Sequence, residues 1–183
     1  IDDQSVVARQ GAAFLRDQGE TPETRTRADL LAVALSASRF TESNTKMAAV
    51  GFAALADRDG TTDASLARLA SRLIEAAENA DTASGQFQAD KSAVANAVLP
   101  WLEGRAASPT SSLLLGLAAA ATKGSAFATS HEQMALVALG AVRKGDATDK
   151  ALVKTAAALV KAAHAGDTDQ HAYRDDKSGA VLR

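Results

Sequence analysis

Residues 62–92 read TDASLARLASRLIEAAENADTASGQFQADKS, and residues 148–178 read TDKALVKTAAALVKAAHAGDTDQHAYRDDKS. The two stretches are identical at 12 of 31 positions, with a constant offset of 86 residues. The identical positions include Asp90-Lys91-Ser92 and Asp176-Lys177-Ser178, which lie outside the alanine-rich part. A repeat of this length indicates a fold built from stacked copies of one small unit.

The sequence before residue 62 extends the repeat at an offset of 87. Met47-Ala48-Ala49-Val50 aligns with Met134-Ala135-Leu136-Val137, and Asp3-Gln4-Ser5 aligns with Asp90-Lys91-Ser92. We therefore predict one domain with two internal units. The first unit covers about 3–89, the second about 90–176, and residues 177–183 begin a third.

Apolar residues recur at helical spacing throughout both units. Helices are predicted near residues 3–18, 24–39, 43–58, 63–79, 90–104, 109–123, 129–144 and 149–165. The short turns between them favour antiparallel hairpins, and such hairpins must stack to bury their apolar faces. The predicted fold is all-α, with tandem α-helical hairpins in an open α/α superhelix or a partial toroid. No strand is predicted, because no segment alternates with period two.

The longest predicted connection is residues 80–89. Phe87 is its aromatic residue, so we expect the ring to pack on the core, and Tyr173 holds the matching place in the second unit. Asp90-Lys91-Ser92 opens the next helix, as does its copy at 176–178. The aspartate and serine are open to reading as an acid and a nucleophile, but helix capping is favoured, since both side chains accept hydrogen bonds from first-turn amides.

The composition limits the classes of function. The chain has no cysteine, which excludes disulfides, thiolate catalysis and cysteine-based metal sites. The net charge of −2 with scattered basic residues does not indicate a nucleic-acid partner. The longest apolar run, Leu113 to Ala121, has about nine residues, whereas about 20 are needed to span a bilayer. We predict neither nucleic-acid binding nor membrane insertion.

Two histidine-containing segments are candidate metal sites. His131-Glu132-Gln133 opens a predicted helix, but Ala135 stands where a zinc-binding helix places its second histidine. We interpret that segment as a solvated first turn. A second cluster lies in a predicted solvated loop and fits no standard zinc spacing: His164, Asp167, Asp169 and His171. No catalytic, cofactor-binding or metal residue is assigned, and no cofactor is predicted.

Two segments resemble the bacterial alpha-2-macroglobulin-like proteins. FTESNTKMA at 40–48 and FATSHEQMAL at 127–136 are similar to a segment of that family in which an aromatic residue, a polar run and an Ala/Leu-rich helix follow one another. Residues 87–94 and 173–178 resemble the aspartate-led start of another helix in the same domain. The resemblance implies an α/α toroid, an extracytoplasmic location and protease trapping. The family thioester needs Cys-x-Glu-Gln, and Ser130 stands in the cysteine position, so no thioester can form.

The expected function is that of a non-catalytic helical repeat module for structure or protein binding, within a macroglobulin-like protease-trapping protein if the resemblance holds. A HEAT-like interaction scaffold is the alternative of the same class. An α/α-toroid hydrolase or lyase that uses carboxylates and His171 is the alternative from another class. An enzyme requires a deep polar pocket where carboxylates or histidines from several hairpins converge, whereas a scaffold requires a concave apolar or charged strip. A protein partner is expected, and the oligomeric state is left open.

Overall fold

A computed structural model of the chain describes residues 3–57, 59–145, 148–167 and 173–181. Within these ranges the chain is an array of helical hairpins, so the predicted all-α class is confirmed. The helices are α1 (Asp3–Gln18), α2 (Pro22–Ala37), α3 (Thr41–Ala56), α4 (Asp63–Ala76), α5 (Asp90–Glu103), α6 (Pro109–Gly124), α7 (Ala128–Lys144), α8 (Asp149–Ala162) and α9 (Asp176–Val181). None of the helices in the described part is long and apolar enough to cross a membrane.

Local sequence signals fix where several helices begin. The hydroxyl groups of Thr21, Thr62, Ser108 and Thr148 each accept a hydrogen bond from the backbone N–H three residues later. Pro22 and Pro109 follow two of these caps in the first helical turn, where the missing N–H has no cost. α2 and α6 therefore begin with the same kinds of residue, and so do α4 and α8.

Two short β-hairpins were missed by the prediction that no strands are present. β1 (Asn79–Asp81) pairs antiparallel with β2 (Phe87–Ala89), and β3 (Ala165–Asp167) pairs with β4 (Tyr173–Asp175). Asn79 lies opposite Ala89, and Ala165 opposite Asp175. Strands of three residues are too short for a period-two pattern to be recognised.

The aromatic residues of these hairpins do not pack on the core, contrary to prediction. The Phe87 residue is 63% exposed and Tyr173 is 68% exposed. The half-buried positions of β2 are Gln88 and Ala89. The core contact is therefore made where the strand joins α5, and the aromatic ring at its start stays in solvent.

The core is formed by leucine, alanine, valine and methionine side chains. Met47 on α3 and Met134 on α7, which align in the predicted repeat, are fully buried. α1 packs on α2 and α3, and α5 packs on α6 and α7. α5 also packs on α2 and α4, and α7 packs on α4. α9 packs on α6 and α8 in the way that α5 packs on α2 and α4.

Candidate functional site

The Asp90 carboxylate joins two segments that are far apart in sequence. Asp90 is 1% exposed. Its Oδ2 accepts hydrogen bonds from Ser38 Oγ at 2.6 Å and Phe40 N at 2.8 Å, and Arg39 N lies 3.1 Å from each carboxylate oxygen. All three donors lie in the turn between α2 and α3. We call this arrangement the Asp90 latch.

The predicted role of Asp90 as the cap of its own helix is wrong. The N-cap residue of α5 is Ala89, which supplies no side-chain hydrogen bond. Asn79 Oδ1 instead accepts from the backbone N–H of Lys91 at 3.2 Å. The carboxylate turns away from α5 because the α2–α3 turn offers it three donors, and hydrogen bonds to an ionised acceptor are the stronger kind.

Asp176 forms the equivalent Asp176 latch in the second unit. Its carboxylate accepts from Ser125 Oγ, from Ala126 N at 2.8 Å and from Phe127 N at 2.9 Å. Burial raises the pKa of this carboxyl, but the hydrogen bonds, first that of Ser125, outweigh burial and hold the pKa below its ordinary value. Asp175 caps α9, with Oδ1 accepting from Lys177 N at 3.1 Å. The predicted capping role therefore belongs to the preceding aspartate.

Two serines connect α3 to the backbone after α4 and α7 to the backbone after α8. Ser43 Oγ accepts from Glu78 N at 2.9 Å, and Ser130 Oγ accepts from His164 N at 2.7 Å. Both serines are fully buried. Ser130, which stands at the cysteine position of the thioester motif, is thus engaged with the backbone that leads into β3.

A serine–histidine pair lies between α5 and α7. Ser92 Oγ is 2.7 Å from His131 Nδ1, and His131 Nε2 is 3.2 Å from the carbonyl oxygen of Ser125. A carbonyl only accepts, so Nε2–H is the donor there and, in the neutral ring, Nδ1 accepts from the serine. Asn96 Nδ2 also lies 3.1 Å from Nδ1. This geometry matches a nucleophile beside a general base.

An open depression of about 370 Å³ adjoins the pair and is lined by Asn96, Thr122, Lys123 and His131, among others. Ser92 itself is buried. The equivalent positions in the first unit are Ser5 and Asn44, whose Nδ2 donates to Ser5 Oγ at 3.4 Å. The contact therefore recurs where histidine is replaced by an amide, which favours a structural role in joining the first and third helices.

The solvated first turn predicted for His131 and Glu132 is also wrong. Both residues are half-buried. The Glu132 carboxylate pairs with Lys91 Nζ at 3.3 Å. Lys91 aligns with Gln4 and Glu132 with Thr45, and Thr45 Oγ1 donates to Gln4 Oε1 at 3.4 Å, so the aligned pair of positions is in contact in both places.

The second histidine cluster lies partly outside the described residues. Asp169 and His171 are not described, and only the backbone of Asp167 is. The His164 ring packs edge-on against Phe127, with ring centroids 5.1 Å apart. Among the residues that are described, no three His, Asp or Glu side chains are grouped to hold a metal ion.

The two ends of the helical array expose apolar side chains whose counterparts are buried. Val7 is 67% exposed and Phe14 is 66% exposed on α1. Their counterparts on α5 are Val94, which is fully buried, and Trp101, which is half-buried and donates from Nε1 to Asp29 Oδ2 at 2.9 Å. We call the exposed surface of α1 and α3 and the turn after α1 the N face.

The opposite end is formed by α8. Val153 is 69% exposed, whereas its counterpart Ala67 on α4 is fully buried. Asp149 is exposed at the start of α8, whereas Asp63 at the start of α4 accepts hydrogen bonds from the backbone of the α5–α6 turn. We call the exposed surface of α6 and α8 the C face. The N face and the C face thus expose residues whose aligned counterparts are buried, half-buried or hydrogen-bonded.

Comparison with known proteins assigns no family to the chain. The segments at 40–48 and 127–136 lie at the starts of α3 and α7, and their similarity to the macroglobulin-like family stays a prediction. No protein-family model, curated protein or solved structure matches this sequence.

Proposed function

We propose that this chain is a non-catalytic module of tandem helical repeats that binds a protein partner through its exposed end faces. Four classes of contact recur between the proposed units and support the repeat. These are the Asp90 and Asp176 latches, the Ser43 and Ser130 contacts, the two β-hairpins, and the hydroxyl caps of α2, α4, α6 and α8. Each recurs at an offset of 86 or 87 residues.

The observation that carries the binding proposal is the exposure of Val7 and Phe14. A fully buried apolar side chain of this size stabilises an interface by about 1.5–3 kcal/mol relative to its exposed state. Their counterparts on α5 gain that stabilisation by packing on α2 and α4. The N face therefore has the shape and chemistry of a helix surface that another helical hairpin covers.

The structural use of the polar residues supports a non-catalytic role. The Asp90 and Asp176 carboxylates are buried and each receives three donors from the protein. Both aspartates therefore have a structural role. We propose the same module as part of a macroglobulin-like protease-trapping protein, on the sequence resemblance alone. A HEAT-like scaffold is the alternative if the partner lies along the helices instead of at the ends.

A hydrolase is the second candidate, and the 2.7 Å contact between Ser92 Oγ and His131 Nδ1 favours it. In such an enzyme the histidine would accept the serine proton as the hydroxyl oxygen attacks an acyl carbon. A fluorophosphonate probe tests this function, since it labels activated serines. Labelling of the native chain that is lost in Ser92→Ala would establish the hydrolase and overturn the non-catalytic proposal.

Site-specific photo-cross-linking tests the binding function. A benzophenone amino acid is placed at Phe14 in cells that make the protein, and at Phe87 on β2, which is 63% exposed, as the matched aromatic control. We expect a discrete protein adduct at position 14 and none at 87. Equal adducts at both positions, or none at either, would contradict a partner on the N face.

A further inference from the structure

We infer that the N face of one copy of this chain binds the C face of a second copy, in the geometry by which the two units pack inside one chain. The inference rests on the proposed binding function and names the partner. The template is the junction between the units, where α5 packs on α2 and α4 and α7 packs on α4. α1 and α3 carry the counterparts of one half of that junction and α8 those of the other half, with Val7, Phe14 and Val153 exposed.

The junction contains a carboxylate that binds a turn of the next unit. Asp63, at the start of α4, accepts from Ala107 N at 2.8 Å and from Ser108 N at 3.0 Å. Burial raises the pKa of Asp63, but these hydrogen bonds outweigh burial and hold its pKa below the ordinary value. The junction is therefore fixed in register by a charged contact at its edge.

The C face presents the same elements in the same order. Asp149 takes the place of Asp63, and Val153 takes the place of Ala67. Both α8 residues are exposed, whereas Ala67 lies beneath the second unit. Leu152 is half-buried where its counterpart Leu66 is buried. An apolar strip with an aspartate at its start thus lies open on α8.

The N face presents the complementary elements. The backbone of Glu20 and Thr21 takes the place of Ala107 and Ser108, and both residues are exposed. Phe52 and Leu55 near the end of α3 are half-buried, whereas their counterparts on α7, Leu139 and Val142, are buried. In the proposed assembly Asp149 of one copy accepts from the Glu20 and Thr21 N–H groups of the next.

A linked pair of differences makes the two faces compatible. Inside the chain, Trp101 donates to Asp29 at 2.9 Å. At the proposed contact Phe14 replaces the tryptophan, and Gly116 replaces the aspartate. The tryptophan donor and its aspartate acceptor are absent together, so neither is left without the other when Phe14 packs against α6, where the Glu103 carboxylate lies beside Gly116.

α9 occupies part of the position that α1 of the second copy requires. α9 is held by the Asp176 latch, and α1 carries Asp3 at the place of Asp176. Binding therefore exchanges α9 for α1 of the neighbour. Asp3 then accepts from the α6–α7 turn, and Val7 and Phe14 add apolar contacts to the same surface.

The assembly is head-to-tail, because the two faces differ. A heterologous contact of this kind gives open chains or closed rings and does not stop at a symmetric dimer. The Asp176 latch opposes assembly by holding α9 in place. Releasing the latch should therefore promote oligomers without altering either face directly.

Sedimentation velocity with surface variants tests the inference. We expect Asp176→Asn to shift self-association to at least tenfold lower protein concentration than the wild-type chain requires. Combining it with Val7→Glu, or with Val153→Glu, should return the protein to monomer, since each places a charge in one face. Phe87→Glu in the same background is the control, since Phe87 lies on β2 and not on either face, and it should leave the oligomers unchanged. The changed side chains at 7, 87 and 153 are exposed, and circular dichroism checks that the helices persist.

Mixing the two face variants gives the decisive result. The Val7→Glu protein keeps its C face and the Val153→Glu protein keeps its N face, both in the Asp176→Asn background. Their mixture should form a capped 1:1 dimer and nothing larger. A monomeric mixture, or association by either variant alone, would overturn the inference. If the chain stays monomeric while cross-linking at Phe14 still captures another protein, the binding function stands and self-assembly does not.

Discussion

Replacing Asp90 with asparagine measures what the Asp90 latch contributes to stability. Asparagine keeps the size of the side chain but has one acceptor oxygen and an NH2 group in place of the other. Ser38, Arg39 and Phe40 all donate to Oδ2, and Arg39 N–H is shared with Oδ1. An asparagine oxygen in the Oδ2 position keeps these donors at a neutral acceptor, and its NH2 group replaces the second acceptor of Arg39 N–H. Hydrogen bonds to charged groups contribute about 1.5–3 kcal/mol each, so loss of the charge and of one acceptor predicts a decrease of about 1.5–3 kcal/mol in the free energy of unfolding.

Urea unfolding followed by fluorescence and circular dichroism gives this quantity. Trp101 is the single tryptophan and lies on α5, so its emission reports on the helix that Asp90 begins. Asp3→Asn is the matched control, because Asp3 holds the equivalent position and is exposed. The control should change stability by no more than about 0.5 kcal/mol.

The reasoning about the Asp90 latch would be refuted by two results. One is a loss below about 1 kcal/mol for Asp90→Asn, which is within the range of a single ordinary hydrogen bond. The other is an equal loss for Asp3→Asn. Hydrogen exchange adds a local test, since the amides of Arg39 and Phe40 should lose protection in the Asp90 variant and keep it in the Asp3 variant.

Three further predictions concern the junction, the core and the serine–histidine pair. Asp63→Asn should lower the free energy of unfolding by about 1–2 kcal/mol at neutral pH. Because the folded pKa of Asp63 is depressed, its contribution to stability is present above the ordinary carboxyl pKa of about 3.9 and is lost as pH falls through the folded value. Unfolding curves of the wild-type and Asp63→Asn proteins between pH 6 and 3 will check this dependence. Gly51→Ala should lower the free energy of unfolding by about 1–3 kcal/mol, since the added Cβ would lie 2.5 Å from the methyl carbons of the buried Leu31 side chain. Gly140→Ala is the control: its Cβ meets nothing within 4 Å, and it should raise the free energy of unfolding by about 0.5–1 kcal/mol. A Gly51 variant as stable as the Gly140 variant would contradict this close packing of α2 on α3. His131→Asn introduces the residue found at the equivalent place in the first unit, so it should cost less than about 1 kcal/mol by thermal unfolding, and a larger loss would mean that the ring nitrogen bound to Ser125 O is needed for stability.

The helical hairpins were predictable because their signals are local. Thr21-Pro22 and Ser108-Pro109 place a cap and a first-turn proline at the start of α2 and α6. The apolar spacing along Leu66, Leu69 and Leu73 then predicts a buried stripe, and all three side chains are buried. These features depend on neighbours within one or two turns, so reading along the sequence finds them.

The latches were not predictable from the same signals. The donors to Asp90 lie 50–52 residues before it in the chain. A sequence pattern at the start of α5 offers a nearer partner, its own first-turn amides, and the capping rule selects that partner. The competing turn has more donors, but its proximity to Asp90 is set by the packing of α5 on α2. Only the fold supplies that information.

The exposed hairpin aromatics illustrate a different limit. Phe87 was expected to be buried because aromatic residues usually contribute to cores or interfaces. Burial, however, requires that the backbone direct the side chain toward other elements. Here the backbone turns into a two-stranded hairpin before Asp90, and Gln88 and Ala89 take the half-buried places. The short strand, which was not predicted, therefore explains why the Phe87 side chain is exposed instead of buried.

The core shows how the two proposed units can differ in sequence and keep similar contacts. Leu31 on α2 packs against Gly51 on α3, while the equivalent positions in the second unit are Ala118 and Ala138. All four residues lie in the buried layer. A large side chain opposite glycine in one unit is replaced by two small side chains in the other, so the volume of the pair changes less than either residue does. Neither position counts as an identity, although the contact between α2 and α3 is kept. Pairs that change together in this way preserve the packing of α2 on α3 and of α6 on α7, and they lower the sequence identity between the two proposed units.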